Sequence, residues 1–303
     1  MIELIKNPKI DFLGKRYFAF VLSGILSILG IIAILQIARG HANLGIDFAG
    51  GTAIQLKFEK PVLLHQIRPA LESGGLKDFD LQDLPTENKI LIRMKKGEEE
   101  LGQTAEAITS VLTQKFPDNK YVVDSTTVIG PKVGGRLRAD AAKAIAVAVI
   151  GLLIYVAFRF QVRFGVGATV ATFHDVLAVL GLFYIMGKEI NLILVTALLT
   201  IAGYSLTDTV VVFDRIRENL RLKLKEEVKS VINTSINEVL SRTIITSATV
   251  LLTSLALFFF GGEVIHDFSL AMIMGVIIGT YSSIFVASPI VLLWGGRRPF
   301  AKK

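Results

Sequence analysis

The stretch that decides the fold is Phe18–Ile37, FAFVLSGILSILGIIAILQI, which contains no charged residue. An α-helix needs about 20 apolar residues to cross the roughly 30 Å hydrocarbon core of a membrane. Five further stretches of similar length and composition follow, near Ala141–Phe158, Phe164–Met186, Leu192–Phe213, Thr243–Phe260 and Phe268–Trp294. The sequence therefore predicts an integral membrane protein with six transmembrane helices.

Composition and charge are typical of this class of protein. The chain has 303 residues, 52% of them hydrophobic, a mean hydropathy of +0.57 and a formal net charge of +7. Positive side chains cluster at alternate ends of the spans: Lys6, Lys9, Lys15, Arg16, Arg159, Arg163, the run Arg215–Arg242, Arg297, Arg298, Lys302 and Lys303. Because cytoplasmic loops carry the excess of Lys and Arg, both termini are predicted to be cytoplasmic. The basic charge is thus assigned to topology, and we expect no nucleic-acid binding.

Residues 38–138 separate the first two spans and predict a water-soluble insert. Their hydrophobic pattern predicts, in order, the elements Thr52–Phe58 (strand), Pro61–Ser73 (helix), Phe79–Leu84 and Lys89–Met94 (strands), Glu98–Lys115 (helix) and Tyr121–Ile129 (strand). The order β-α-β-β-α-β is typical of a ferredoxin-like domain. The predicted fold class is an α-helical integral membrane protein with six transmembrane helices and an inserted α+β ferredoxin-like extracytoplasmic domain.

Segment bounds follow from the same patterns. We predict a cytoplasmic N-terminal segment at residues 1–17 and a cytoplasmic tail at residues 295–303. The transmembrane helices are predicted at residues 18–37, 139–158, 162–186, 190–213, 243–260 and 268–294. Residues 214–242 form a cytoplasmic amphipathic segment, with apolar residues at Ile216, Leu220, Leu224, Val228, Ile232, Ile236 and Leu240. This stripe predicts one helix along the membrane surface, with a solvated helical linker as the alternative.

Several classes of chemistry have no signal in the sequence. The chain has no cysteine, which excludes disulfides and thiolate metal sites. The phosphate-loop, zinc-protease and nucleophile-elbow motifs are absent. We therefore expect no cofactor, no metal and no enzymatic activity, and we expect an ion gradient to supply the energy for any transport. The first apolar stretch has no small-residue cleavage site, which favours an uncleaved span over a signal peptide.

Two carboxylates are predicted inside the spans, where a charge costs about 3 kcal/mol on insertion scales and normally marks a transport pathway. Asp208 lies in the fourth span, and Tyr204 and Thr200 share its helix face because they are four and eight residues away. Asp175 lies near the middle of the third span, beside His174. For these sites, a hydrogen bond that only supports helix packing is the alternative interpretation.

The neighbouring spans offer a counter-charge and close-packing positions. Arg242 opens the fifth span and is a candidate counter-charge for Asp208, with snorkelling to the interface as the alternative. A polar stripe follows it at Thr246, Thr249 and Thr253. We expect Gly203 to let a neighbouring helix approach closely, and Gly275 and Gly279 to serve helix packing.

Four motifs occur in order along the whole chain. They are GIDFAGGT at Gly45–Thr52, IGPKVG at Ile129–Gly134, FHDV at Phe173–Val176 and YSLTDTVVVFDR at Tyr204–Arg215. Together they resemble the motifs of the SecF family of protein-export membrane subunits. The resemblance implies an accessory subunit of the Sec protein translocase in the bacterial cytoplasmic (inner) membrane, related to the resistance-nodulation-division superfamily.

The resemblance also implies partners and residue roles. The subunit would pair with SecD beside the SecYEG channel, with YidC and YajC as further partners, and use the proton-motive force to draw unfolded preprotein across the lipid bilayer. In that family the acidic residue of the fourth span, Asp208 here, and the arginine opening the fifth, Arg242 here, are linked with proton movement. The full predicted proton pathway consists of Asp208, Arg242, Asp175, His174, Tyr204 and Thr200. Because no SecD half is fused to this sequence, a separate SecD is expected.

The glycine-rich motif after the first span is predicted to be a hinge or anchor of the inserted domain, because glycine adopts backbone angles that other residues avoid. A plain turn into the first strand is the alternative. The residues assigned to this role are Gly45, Asp47, Gly50, Gly51, Gly130 and Pro131. Asp47 is expected to cap the local backbone or pair with a nearby cation. Asp214 and Arg215 mark the cytoplasmic end of the fourth span.

Two other functions stay open from the sequence. A proton-driven small-molecule or lipid exporter of the resistance-nodulation-division superfamily would share the intramembrane carboxylates. A non-transporting assembly scaffold would need no intramembrane carboxylate.

Overall fold

The computed structural model describes residues 8–77, 79–84, 88–94 and 101–294, which form two compact units. Residues 44–143 form the first, here called the inserted unit. The described residues before and after it form the second, the helical bundle. The basic residues Lys6, Arg297, Arg298, Lys302 and Lys303, the predicted tail and the predicted helix start at Glu98 lie outside the described residues.

The helices and strands follow the order along the chain that the hydropathy pattern predicts. The strands are β1 Gly51–Phe58, β2 Phe79–Leu84, β3 Lys89–Met94 and β4 Tyr121–Ile129. The helices are α1 Arg16–Ala38, α2 Ile46–Ala49, α3 Leu64–Ser73, α4 Leu101–Lys115, α5 Pro131–Arg159, α6 Val162–Ile185, α7 Leu192–Leu222, α8 Val228–Phe260, α9 Glu263–Ser282 and α10 Ser288–Trp294. A π-helical turn, Ser283–Ala287, joins the last two helices.

The inserted unit is an antiparallel sheet with strand order β2-β3-β1-β4. Side chains of a strand alternate between its faces, so Ile54, Leu56 and Phe58 of β1 share one face, and all three are buried. They join one apolar core with Ile67 of α3 and Ile108 of α4. Both helices therefore cover the same face of the sheet. The predicted β-α-β-β-α-β order is confirmed and fits the ferredoxin-like arrangement.

The bundle contains six apolar helices, in the described ranges, that are long enough to cross a membrane. They are α1, α5, α6, α7, α8 and the helix that continues from α9 into α10. The central helices α6, α7 and α9 are largely buried, whereas α1, α5 and α8 expose most of their surface. Gly30 of α1 and Gly181 of α6 let these helices touch backbone to backbone, since a Cβ added to Gly181 would lie 2.6 Å from the Gly30 nitrogen. The predicted six-span fold class is confirmed.

The segment between the fourth and fifth spans differs from the prediction of one surface helix. α7 continues to Leu222, and α8 begins at Val228 after a short turn. Ile216 of α7 and Ile236 of α8 are both fully buried in one apolar core, while Leu224 in the turn is 61% exposed. The single surface helix is therefore wrong: apart from Leu224, the apolar stripe packs between two helices of the bundle. A four-residue period is the same in one helix or two, so it did not reveal the break.

Candidate functional site

Three central helices of the bundle place polar side chains at buried positions. We call this group the polar cluster; its members, each at most 6% exposed, are His174 and Asp175 of α6, Ser205 and Asp208 of α7, Ser282 at the end of α9 and Ser283 after it. A charge or an unpaired polar group is costly inside hydrocarbon, so its hydrogen bonds decide whether such a cluster is stable. The predicted carboxylates thus lie together in one site.

Asp175 is fully buried and has three hydrogen-bond partners. Its Oδ1 lies 2.8 Å from His174 Nδ1. Its Oδ2 accepts hydrogen bonds from Ser205 and, at 2.7 Å, from Ser282. The ring nitrogen of a histidine can donate or accept in such a bond, depending on which nitrogen carries the proton. His174 Nε2 points the other way and is buried without a hydrogen-bond partner among the described residues.

Asp208 is also buried but has fewer fixed partners. Ser283 Oγ donates to its Oδ2 at 2.7 Å. Thr243 of α8 lies next to the carboxylate, and its hydroxyl is buried without a hydrogen-bond partner among the described residues. A carboxylate offers about four acceptor positions on its two oxygens. Asp208 therefore keeps acceptor positions that no bond of normal length fills, beside the Thr243 hydroxyl.

A second chain of hydroxyl groups lies one helical turn from Asp208. Tyr204 donates to Ser247 Oγ of α8 at 2.9 Å, and Ser247 Oγ lies 2.6 Å from Thr280 Oγ1 of α9. Thr280 in turn donates to the Val276 carbonyl at 2.7 Å. These bonds connect α7, α8 and α9 beside the polar cluster.

Arg242 is exposed, and among the ion pairs of the described residues none joins it to Asp208. The carboxylate is instead held by the neutral hydroxyl of Ser283. The two predicted partners therefore form no ion pair among the described residues, although Arg242 directly precedes Thr243, which lies beside Asp208. A role of Arg242 in proton movement stays a prediction.

Thr200 and the predicted polar stripe of α8 do not enter the polar cluster. We call the set Thr200, Thr207, Thr246, Thr249 and Thr253 the exposed threonines. Each hydroxyl donates to a carbonyl of its own helix, at distances of 2.7 to 2.9 Å. These bonds satisfy the hydroxyl donors, yet α7 and α8 still show polar surface on the outside of the bundle.

The predicted close-packing glycines behave differently from one another. A Cβ added to Gly279 would lie 3.3 Å from Ser205 Cβ, and one added to Gly275 would overlap the side chain of Ile201. Both glycines therefore let α9 approach α7, and their predicted packing role is confirmed. Gly203 has no neighbouring atom of the described chain within 4 Å of an added Cβ, so the close approach expected there stays a prediction.

Asp214 and Arg215 lie near the far end of α7 and connect it to two other helices. Asp214 pairs with Arg159 at the end of α5. Arg215 pairs with Glu238 of α8 at 2.6 Å and with Glu218 at 2.7 Å. These partly exposed pairs stabilise the helical extension after the fourth span.

The glycine-rich motif lies in the inserted unit and packs against the first turn of α5. Gly50 and Gly51 have φ angles of 76° and 142°, values that favour glycine. A Cβ added to Gly50 would lie 3.0 Å from the Cα of Pro131, and one added to Gly134 would lie 3.0 Å from the Gly50 nitrogen. Glycine at both positions is thus needed for the backbone contact.

The remaining residues of this motif flank the same contact. Gly45 precedes α2, which contains Asp47, and Gly130 lies between β4 and α5. Arg138 of α5 donates to the carbonyl oxygen of Phe48. The two motifs that are far apart in the sequence therefore form one packed element.

Sequence reasoning missed the hydroxyl groups that complete the site. Ser205, Ser282 and Ser283 contact the carboxylates, and Ser247 and Thr280 form the second chain. The one available signal was a pair of adjacent serines inside an apolar span shortly before Pro289. The described part of the chain contains no group of three or more His, Asp or Glu side chains that could hold a metal ion.

Two family models match the chain. The model of the protein export membrane protein SecD/SecF, C-terminal, matches residues 108–297. The model of the SecD/SecF GG motif matches residues 42–62. The first covers more than half of the chain and includes the polar cluster, and the second includes the glycine-rich motif.

Curated relatives match over nearly their full length. The protein translocase subunit SecF of Thermodesulfovibrio yellowstonii is 59% identical over 298 residues, covering 97% of this chain and 98% of the relative. The SecF subunit of Calditerrivibrio nitroreducens is 45% identical, covering 96% of each chain. That of Vibrio alginolyticus is 39% identical, covering 97% of this chain and 93% of the relative.

Solved structures show the same fold as part of a longer chain. The crystal structure of SecDF, a translocon-associated membrane protein from Thermus thermophilus, matches with a TM-score of 0.83 and 37% identity, over 96% of this chain and 39% of that chain. SecDF in the super-membrane-facing form matches with a TM-score of 0.71. With both family models and full-length relatives in agreement, this multi-pass membrane chain belongs to the SecF family of protein translocase subunits.

Proposed function

We propose that this chain works with SecD and uses the proton-motive force to promote export of unfolded preproteins through the SecYEG channel. The observation that carries the proposal is the polar cluster, which holds two carboxylates inside the three central helices of the bundle. Intramembrane carboxylates that face a bundle interior are typical of ion and proton pathways.

Asp208 is the proposed proton-carrying group. Its single serine bond leaves room for a proton on the carboxyl group, and Thr243 lies beside it with an unused hydroxyl. A carboxyl group that gains a proton changes from acceptor to donor, so its neighbours must be able to exchange roles, and hydroxyl groups can do so. Arg242 is proposed to approach Asp208 in another conformation, which would favour release of the proton.

SecD is the proposed partner of the exposed threonines. Polar side chains at membrane depth normally face other helices instead of lipid. The SecDF structures add further chain to the part that this sequence matches, since the match spans 39% of the Thermus thermophilus chain. We infer that a SecD bundle covers α7 and α8, and that SecYEG, YidC and YajC join the assembly.

The proposed location is the bacterial cytoplasmic (inner) membrane, with both termini cytoplasmic and the inserted unit outside. The support is the distribution of Lys and Arg among the short loops. The predicted segment bounds, including the extracytoplasmic residues 38–138, are part of this proposal.

The glycine-rich motif is proposed to anchor the sheet of the inserted unit to the start of α5. The backbones of Gly50, Pro131 and Gly134 are in contact. Such a contact holds the motif against α5 more firmly than a turn without contacts would. The anchor is proposed to transmit movement during export.

The test is preprotein export in a strain depleted of its own SecD and SecF, supplied with this chain and the SecD of the same organism. Export is measured with the proton gradient intact and after an uncoupler collapses it. Wild-type chain should restore gradient-stimulated export, and Asp208→Asn should assemble with SecD yet restore none. A small-molecule exporter or a passive scaffold would leave gradient-stimulated export unrestored, which would overturn the proposal.

The matched control is Asp267→Asn. Asp267 pairs with Lys188 at 2.8 Å near the other end of α9, outside the polar cluster. The same chemical change there should leave gradient-stimulated export at the wild-type rate. Equal loss in both variants would contradict a specific role of Asp208.

A further inference from the structure

Two adjacent serines bond to two different carboxylates. Ser282 Oγ lies 2.7 Å from Asp175 Oδ2, and Ser283 Oγ lies 2.7 Å from Asp208 Oδ2. Adjacent residues on a helix point about 100° apart, so one short segment can reach side chains of two neighbouring helices. Asp175 is on α6 and Asp208 is on α7. The two serines, joined by one peptide bond, therefore connect the two carboxylates through a hydrogen bond at each end.

Each of these serines has a second acceptor within reach. Ser282 Oγ also lies 3.1 Å from the Gly279 carbonyl, and Ser283 Oγ lies 3.1 Å from the Thr280 carbonyl. A hydroxyl group has one proton to donate and can also accept. Each serine can therefore donate to its carboxylate or turn to its own helix without becoming unsatisfied.

The backbone at this pair departs from regular α-helix. The π-helical turn begins at Ser283, and Pro289 soon after it has no N–H to donate. Ser288 Oγ donates to the Ser283 carbonyl at 3.0 Å. In membrane helices, serine side chains and local π adjustments satisfy the backbone groups that a proline frees. The serine pair thus lies where the backbone changes from α-helical to π-helical hydrogen bonds.

We propose that Ser282 and Ser283 are positioning residues that couple Asp175 to Asp208; this rests on the proposed proton-carrying role of Asp208. When the Asp208 carboxylate takes up a proton, the new O–H donates to Ser283 Oγ. Ser283 then turns its own hydroxyl proton to the Thr280 carbonyl, so the serine neither gains nor loses a proton. The exchange of donor and acceptor changes the Asp208–Ser283 separation and draws Ser283 toward the Thr280 carbonyl. This displacement is passed through the shared backbone to Ser282, and so to its bond with Asp175.

The test combines export with infrared difference spectroscopy of the chain assembled with SecD. The Asp208 signal is the carboxylic-acid C=O band that disappears in Asp208→Asn. Ser283→Ala should shift this band and reduce gradient-stimulated export severalfold, and Ser283→Thr, which keeps the hydroxyl, should recover most of both. Ser282→Ala should also shift the Asp208 band, although the bonds of Ser282 go to Asp175 and Gly279.

The control is Ser269→Ala on the same helix. Ser269 is fully buried and its hydroxyl donates to the carbonyl of Ile265 at 2.7 Å, so the change removes a buried hydroxyl without touching a carboxylate. It should leave the Asp208 band in place. The double variant Ser282→Ala with Ser283→Ala should lose less export than the product of the two single losses predicts, as expected for residues that act as one unit.

Failure of this inference differs from failure of the proposed function. An unchanged Asp208 band in Ser282→Ala, with independent effects of the two single variants, would overturn the coupling while Asp208→Asn still abolished the gradient response. A normal gradient response in Asp208→Asn would overturn the proposed function itself.

Discussion

The two intramembrane carboxylates share one cluster but differ in how completely their surroundings satisfy them. Asp175 has hydrogen-bond partners on α6, α7 and α9. Asp208 has the single serine bond and a neighbouring threonine whose hydroxyl is unpaired among the described residues. A fully bonded buried carboxylate is held in one state, because any change leaves several groups unsatisfied. A partly bonded one can change state at smaller cost, which supports the proposal that Asp208 is the group that exchanges a proton.

The largest difference should appear when each carboxylate is removed. Asp175→Ala leaves His174 and Ser205 without their acceptor, whereas Ser282 keeps the Gly279 carbonyl, and each unsatisfied buried group costs about 1–3 kcal/mol. We expect a loss of roughly 3 kcal/mol in unfolding free energy for Asp175→Ala and about 1 kcal/mol for Asp208→Ala. Denaturant unfolding of the purified SecD complex measures both. Equal losses would break the distinction between the two sites.

A second prediction concerns Arg242 of α8, the proposed counter-charge of Asp208. Because Arg242 is exposed and unpaired with Asp208 here, Arg242→Gln should leave stability unchanged. It should nevertheless reduce gradient-stimulated export severalfold, because the proposed proton release needs a positive charge to approach. Arg221→Gln changes another exposed arginine, at the end of α7, and should keep the wild-type export rate. An active Arg242→Gln variant would remove Arg242 from the pathway.

A change in the glycine-rich motif of the inserted unit sharpens the comparison of Asp175 with Asp208, because it should impair export without altering either carboxylate. Ala at Gly50 would force a left-handed backbone angle, at a cost of roughly 1–2 kcal/mol, and would crowd Pro131. We expect Gly50→Ala with Gly51→Ala to reduce export about twofold while insertion into the membrane continues, as an order of magnitude from this local strain. Gly135→Ala, which has open space around an added Cβ, is the control. Full export by the glycine variant would argue for a plain turn.

The smallest effect has the opposite sign. Thr243→Val removes a buried hydroxyl that has no hydrogen-bond partner among the described residues, so it should stabilise the bundle by roughly 0.5–1 kcal/mol. Ser205→Ala, which removes a bonded hydroxyl from Asp175, should destabilise it. Thermal unfolding of the two variants measures whether each change raises or lowers the stability of the bundle. Destabilisation by Thr243→Val would show that this hydroxyl is needed by Asp208.

Local pattern was sufficient for most of the fold. Span length and the absence of charge identified the six helices, and period-two alternation identified the strands of the inserted unit. These features depend on residues within a few positions of each other, which a sequence displays directly. The same holds for Asp175 and Asp208, since an ionisable residue inside an apolar stretch is visible without knowing its neighbours. The turn between α7 and α8 was missed because the apolar period continues unchanged across it.

Only the tertiary structure decided which side chains meet. Ser282 and Ser283 reach Asp175 and Asp208 across 107 and 75 residues of chain. Arg242 forms no ion pair with Asp208 among the described residues, although its sequence position suggested one. Such contacts depend on which helices pack together, on how closely glycines let them approach and on how the π-helical turn rotates its side chains. None of these is a property of a single segment. The sequence by itself therefore determined the spans, the strands and the carboxylates, and packing between distant helices determined their partners.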